Sequence, residues 1–252
     1  MRLLKSFIAC FSTYSRIPMP VVELDSDDMK YALIFFPLIG AFIAAVEYGI
    51  FTIADAFALP RFVRTALMLV VPVVVTGGIH IDGYMDTMDA FSSYGDREKK
   101  LAIMKDPNTG AFAVIYLAVY GLMYMAFAYL INAKSITPMC YSFILSRIFS
   151  GISVVTIKGA KTTGMIANVK EKSENKTVRI VLIAMLIIVT IVLLSRHAFF
   201  AIASVVTLIC LYFIYKRKCI KELDGITGDT SGYYLLIMEL ILLLIASVEG
   251  LI

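Results

Sequence analysis

The chain has 252 residues, 60% of them hydrophobic and only 17% charged, with a mean hydropathy of +0.86. A single soluble core of this size cannot absorb so much apolar surface, so the excess faces lipid, and no separate soluble domain fits beside several spans of ~20 residues each. The net charge of +4 is small and is accounted for by membrane orientation, which excludes nucleic acid as a partner.

The N-terminal run MRLLKSFIACF has the charge and apolar stretch of a leader. It is short and broken by Lys5, so it reads as an amphipathic helix lying at the membrane surface. Apolar runs then predict transmembrane helices near 31–58, 61–79, 107–133, 136–157, 178–195, 198–215 and 230–251. The expected fold is all-α: a polytopic integral membrane protein of about seven transmembrane helices, with residues 1–252 forming one transmembrane catalytic domain. Cys10, Cys140, Cys210 and Cys219 are scattered without metal or disulfide spacing. Glu47, Arg147 and Glu239 fall inside spans, where a charge costs a few kcal/mol and implies a partner or a polar cavity.

Lys and Arg alternate strongly between the connecting segments. Eighteen of the 23 fall on the side of the N-terminus, four fall on the other side, and Arg147 is intramembrane. The N-terminus is therefore expected in the cytoplasm and the C-terminus outside. The polar segments 76–110, 158–176 and 221–232 then share the cytoplasmic face and can build one composite site.

The most informative stretch runs from Thr76-Gly77-Gly78 through Ile79-His80-Ile81-Asp82-Gly83-Tyr84-Met85-Asp86 to Asp89. On a helix Asp82, Asp86 and Asp89 stand at i, i+4 and i+7, on one face. At an effective dielectric of ~20, two carboxylates ~6 Å apart repel by roughly 3 kcal/mol, so the cluster favours a cation. Hard oxygen ligands suit Mg²⁺, with Mn²⁺ the alternative, completed by water and phosphate oxygens. The bland alternative is a solvated helix face. The apolar opposite face of Ile79, Met85 and Met88 argues against it.

Asp106-Pro107 reads as the N-cap and first residue of the third span, and Lys105 beside that helix start is a candidate phosphate partner. The Gly- and hydroxyl-rich Asp224–Gly232 segment opens the last span. Asp229, Thr230 or Ser231 would cap it, and Thr227, Gly228 and Asp229 could approach a phosphate or metal closely. Asp106 at the start of the third span, Lys161 in the fourth loop and Arg147 complete the candidate phosphate-site residues.

Three motifs together resemble one family: G-G-I-H-I-D-G-Y-M-D-T-M-D, I-M-K-D-x-x-x-G from Ile103 to Gly110, and G-I-T-G-D-T-S-G from Gly225 to Gly232. In order and spacing they are similar to the cobalamin synthase family, the adenosylcobinamide-GDP ribazoletransferases. The Arg16-Ile17-Pro18 stretch and Phe36-Pro37-Leu38-Ile39-Gly40 are similar too, so the resemblance covers nearly the whole chain. Ala90 and Ala113 stand where the family commonly has Gly, small-for-small changes that bear on loop conformation.

The resemblance implies a Mg²⁺-dependent enzyme in the prokaryotic cell (inner) membrane with its active site facing the cytoplasm. Its substrates would be adenosylcobinamide-GDP and α-ribazole or its 5′-phosphate, and GMP would be released. Asp82 and Asp86 are then expected as metal ligands, with Asp89 as third ligand or as the base for the hydroxyl proton. His80 would orient an Asp, and a homo-oligomer is compatible with the sequence. CDP-alcohol phosphotransferases also cluster Asp on membrane helices, but their D-G-x-x-A-R signature fails here because Asp82-Gly83 is followed by Tyr84-Met85-Asp86-Thr87. A transporter would place its polar groups near the midplane on broken helices, whereas this chain gathers them at one face.

Overall fold

A computed structural model describes residues 2–160 and 175–252. Among them are ten α-helices: α1 (Arg2–Tyr14), α2 (Ala32–Ala56), α3 (Arg61–Thr76), α4 (Ile79–Ser92), α5 (Arg97–Ile103), α6 (Ala111–Tyr129), α7 (Ile136–Thr156), α8 (Asn175–Leu194), α9 (Ala198–Leu223) and α10 (Gly228–Glu249). The only pairing of extended backbone among the described residues is a parallel bridge between Gly159 and Ile226. The all-α polytopic expectation holds. Six helices are long and apolar enough to cross a membrane, namely α2, with the short 3₁₀ turn before it, and α6 to α10.

The seventh pass departs from expectation. α3 stops at Thr76, and a bend of 94° separates it from α4. Gly77 and Gly78 make the corner with φ of +65° and +79°, backbone that side chains with a Cβ rarely adopt. With 16 residues, α3 rises only ~24 Å. It still joins the two ends of the bundle: Arg64 near its start donates to the Ile131 carbonyl, and Val75 near its end accepts from the Arg16 N–H. α4, charged and short, turns away from α3 to pack on α10 and α6.

α7 is the central helix, buried along most of its length, while α6, α8 and α9 leave most of theirs exposed. Small residues explain the close packing. A Cβ at Gly40 of α2 would lie 2.2 Å from the Phe143 carbonyl of α7, and one at Gly151 of α7 would lie 2.8 Å from Leu182 of α8. The outer faces carry exposed residues such as Leu122, Ile188, Ile191, Val206 and Phe213, an apolar belt for lipid. α1 packs on α2 through Phe7 against Phe35 and Tyr14 against Phe36. Leu3 and Leu4 remain exposed, as an amphipathic surface helix requires.

Of the three intramembrane charges, Arg147 and Glu239 pair at 2.7 Å, both essentially inaccessible. Arg147 also donates to the Phe143 carbonyl. Glu47 is buried, and neither of its oxygens has a hydrogen-bond partner among the described residues. It sits two helical turns beyond Gly40, the point where α2 meets the Arg147 side chain, or ~10 Å along the axis. α9 runs to Leu223, eight residues past the predicted end. Its basic residues Lys216–Lys221 are good helix formers, and Tyr215, Cys219 and Leu223 keep an apolar stripe against the bundle.

Candidate functional site

The described parts of the separated polar segments meet at one end of the bundle, where residues 158–160 pair with the 224–227 loop. The Gly159–Ile226 bridge is closed by Ala160 N–H to the Ile226 carbonyl and Ile226 N–H to the Lys158 carbonyl, both 2.9 Å. Gly225 fits there because a Cβ would lie 2.5 Å from the Lys158 carbonyl. Asp224 receives Lys158 at 2.8 Å and Arg97 at 3.4 Å, and Lys100 pairs with Glu222. Lys158 first, then Arg97, hold the Asp224 carboxyl below the usual range.

α4 crosses the start of α10 through two glycines. A Cβ at Gly83 would come within 2.8 Å of Asp229 backbone, and one at Gly232 within 3.1 Å of the His80 carbonyl. Tyr84 stacks on Tyr233 with ring centroids 5.8 Å apart. This crossing brings Asp229 from the last loop to the Asp82–Asp89 face, uniting residues about 140 positions apart in the chain.

The carboxylates are not equivalent. Asp82 is exposed, and neither it nor Asp86 has a hydrogen-bond or ion-pair partner among the described residues. Burial first, then repulsion from Asp82, Asp229 and Asp89, push the half-buried Asp86 carboxyl up to about 6. Asp89 accepts from Gly110 N–H at 2.6 Å and Ala113 N–H at 2.9 Å. It therefore caps α6, and this corrects the reading of Asp106 as that cap. Asp106 is exposed and accepts instead from the backbone and side-chain amides of Asn108. Of the two departures from the family pattern, Ala90 continues α4, fully buried, and Ala113 supplies one of the N–H groups held by Asp89.

Thr227 is the N-cap of α10, in a reciprocal pair with Thr230. The cap is thus neither Asp229, Thr230 nor Ser231, and the Thr227 hydroxyl is committed to it. Lys105 is exposed. Arg147 is tied to Glu239 through one amino group, lines the cavity that runs into the bundle, and keeps its Nε and Nη2 without hydrogen-bond partners among the described residues. Lys161 falls outside the described residues.

Three cavities meet around the first turn of α4. One of about 310 Å³ has Tyr14, Leu33, Phe36 and Val154 on its apolar side and Asp82, Asp229 and Ser231 on the other. A second, of about 580 Å³, is lined by Ser12, Thr13, Arg16, Gly77, Gly78 and Asp82. A third, of about 320 Å³, runs into the bundle between α3 and α6 and ends at Arg147 and Glu239. His80 separates the first from the third. Its ring is buried edge-on to Phe36 at 5.9 Å, and its Nε2 has no partner among the described residues. The cavities and Arg16 were not legible as site features from spacing, because α1 reaches them only through tertiary packing.

Among the described residues no three His, Cys, Asp or Glu side chains stand close enough to enclose a metal ion. Asp82, an unpaired carboxylate in the wall of a polar cavity, nevertheless fits a hard divalent cation that takes one or two protein oxygens and completes its shell from substrate and water.

A family model described as cobalamin-5-phosphate synthase matches residues 6–247. The chain is similar to adenosylcobinamide-GDP ribazoletransferases from several bacteria. It is 38% identical to that of Lachnoclostridium phytofermentans, over 95% of this chain and 92% of the relative. It is 31% identical to one from Clostridium perfringens (strain ATCC 13124), over 93% and 94%, and 28% identical to that of Clostridioides difficile, over 96% of each. No solved structure matches the chain.

Proposed function

The chain belongs to the cobalamin-5-phosphate synthase family, and from that premise we propose how its carboxylate end works as an adenosylcobinamide-GDP ribazoletransferase. A hydroxyl of α-ribazole, or of its 5′-phosphate, attacks the cobinamide-side phosphorus of adenosylcobinamide-GDP. A new P–O bond forms, the bond from that phosphorus to the bridging oxygen breaks, and GMP leaves with the electron pair. The hydroxyl proton passes to the carboxylate cluster. The product is adenosylcobalamin or its 5′-phosphate.

The observation that carries this reading is Asp82, an unpaired carboxylate standing in the wall of two separate cavities. Displacement at a pyrophosphate chiefly needs positioning and charge neutralisation. Asp82 and Asp86 would hold Mg²⁺, or Mn²⁺, which when bound supplies positive charge against the phosphate oxygens. Asp229 joins them from α10. Asp89 acts by positioning, because both its oxygens hold the start of α6. His80 fills the wall behind Asp82 and keeps the bundle interior separate from the site. The reaction takes place in one membrane domain, at the cytoplasmic face of the bacterial cell membrane, in keeping with the basic residues on that side.

The test is the reaction itself: purified protein in liposomes, given adenosylcobinamide-GDP, α-ribazole and Mg²⁺, with products separated by liquid chromatography and mass spectrometry. Corrinoid product and equimolar GMP, both lost on chelation, are expected. Well-folded protein that forms neither product would overturn the reading.

A further inference from the structure

The transferase reading requires two unlike substrates to meet at one phosphorus. One carries guanosine on a diphosphate, polar and anionic; the other carries an aromatic base on a ribose. Two of the cavities are unlike in the same way. The 310 Å³ cavity is walled by Tyr14, Phe36, Leu33 and Val154, whereas the 580 Å³ cavity is walled by Ser12, Thr13, Arg16 and the Gly77-Gly78 corner. Both volumes suit small-molecule sites. The residues common to the two linings are Ile79 and Asp82, both in the first turn of α4. The end of α1 divides them, with Tyr14 on one side and Arg16 on the other.

Arg16 is fixed at the polar cavity. Its backbone N–H donates to the Val75 carbonyl at 2.8 Å. Its side chain lies across Gly77, where a Cβ would come 2.5 Å from Nε and 2.6 Å from Cγ. The corner glycine thus serves both the bend and the seat of this arginine. The guanidinium is exposed and makes no ion pair or side-chain hydrogen bond among the described residues. A planar cation held beside open space, with its donors unused, matches phosphate oxygens.

We propose that the two cavities sort the substrates. The polar cavity takes the guanosine diphosphate end, with Arg16 on a phosphate oxygen. The aromatic cavity takes the base of the riboside, directing its ribose toward Asp82 and Asp229. Asp82, shared by both, marks where nucleophile and phosphorus meet. This assignment rests on the transferase reading and adds Arg16, Phe36 and Val154 to it as residues that select substrate.

The experiment measures KM for each substrate separately, with the other saturating, in wild type, Arg16→Gln and Val154→Phe. Arg16→Gln is expected to raise KM for adenosylcobinamide-GDP on the order of ten- to hundredfold, from one lost charged hydrogen bond, and to leave KM for α-ribazole unchanged. Val154→Phe fills the aromatic cavity and is expected to do the reverse. The unchanged KM in each variant is its own folding control. Should Val154→Phe fail to fold, Ser150→Val narrows the same cavity with less added volume. Active wild type in which both KM values move together, or move for the wrong substrate, would overturn the sorting and leave the transferase reading standing. Wild type without turnover would remove both.

Discussion

At the end of the bundle away from the carboxylates, polar groups from different helices satisfy one another. Asn132 donates to the Gly250 carbonyl, Arg64 to the Ile131 carbonyl, and Glu249 accepts from His197 Nδ1 and the Phe200 N–H. At the other end Asp82 and Asp86 face one another's charge with no such partner among the described residues. Both ends close turns between apolar helices, so the demands of folding are the same. The difference shows where charge has been left uncompensated for something other than the fold, the pattern expected of a functional site. The buried Arg147–Glu239 pair stands between the two cases: one amino group of Arg147 holds Glu239, while its Nε and Nη2 have no hydrogen-bond partner among the described residues.

The largest effect is expected from breaking the buried Arg147–Glu239 pair. Glu239→Gln leaves Arg147 charged inside the bundle and is expected to destabilise the protein by about 3–5 kcal/mol, read as a lowered midpoint of thermal unfolding in detergent. Next comes Gly83→Ala, whose Cβ meets Asp229 backbone at 2.8 Å. Forcing α4 off α10 should cost about 1–3 kcal/mol and lower turnover as well, since the same crossing sets Asp229 against Asp86. Asp89→Ala removes the cap of α6 and should cost about 1–2 kcal/mol, with Asp89→Asn recovering part of it.

The smallest effect concerns Asp86. Its carboxyl is raised in the fold, so its stabilising contribution is present below the ordinary value of 3.8 and is lost as pH rises through about 6. Chelator-treated wild type should therefore melt lower at pH ~7 than at pH ~5 by more than Asp86→Asn does. Equal pH dependence in the two proteins would mean that burial and the neighbouring carboxylates do not raise Asp86 as described.

Hydropathy made most of the spans legible, because lipid imposes its own length on each helix. The face of Asp82, Asp86 and Asp89 was legible from spacing alone. What spacing could not give was the use of each member. Asp89 is committed to Gly110 and Ala113, more than twenty residues away, a bond that exists only once α4 is packed on α6. The right-angle corner was hidden for a similar reason: Gly77-Gly78 permits it, but Arg16 and α10 hold it. A charge at Arg147 inside a span called for a partner or a cavity, and it has both. Which acid pairs with it depended on the register of α7 against α10, and hydropathy carries no register.

The central claim is that the uncompensated carboxylates serve catalysis and not stability, and Asp82→Asn tests it most directly. Turnover of adenosylcobinamide-GDP and α-ribazole and the thermal midpoint should be measured on the same preparations of wild type and variant. The account predicts turnover reduced at least about a hundredfold with the midpoint unchanged or raised, as a repelling charge is removed. A variant that turns over like wild type, or one whose lost activity follows a lost fold, would contradict it.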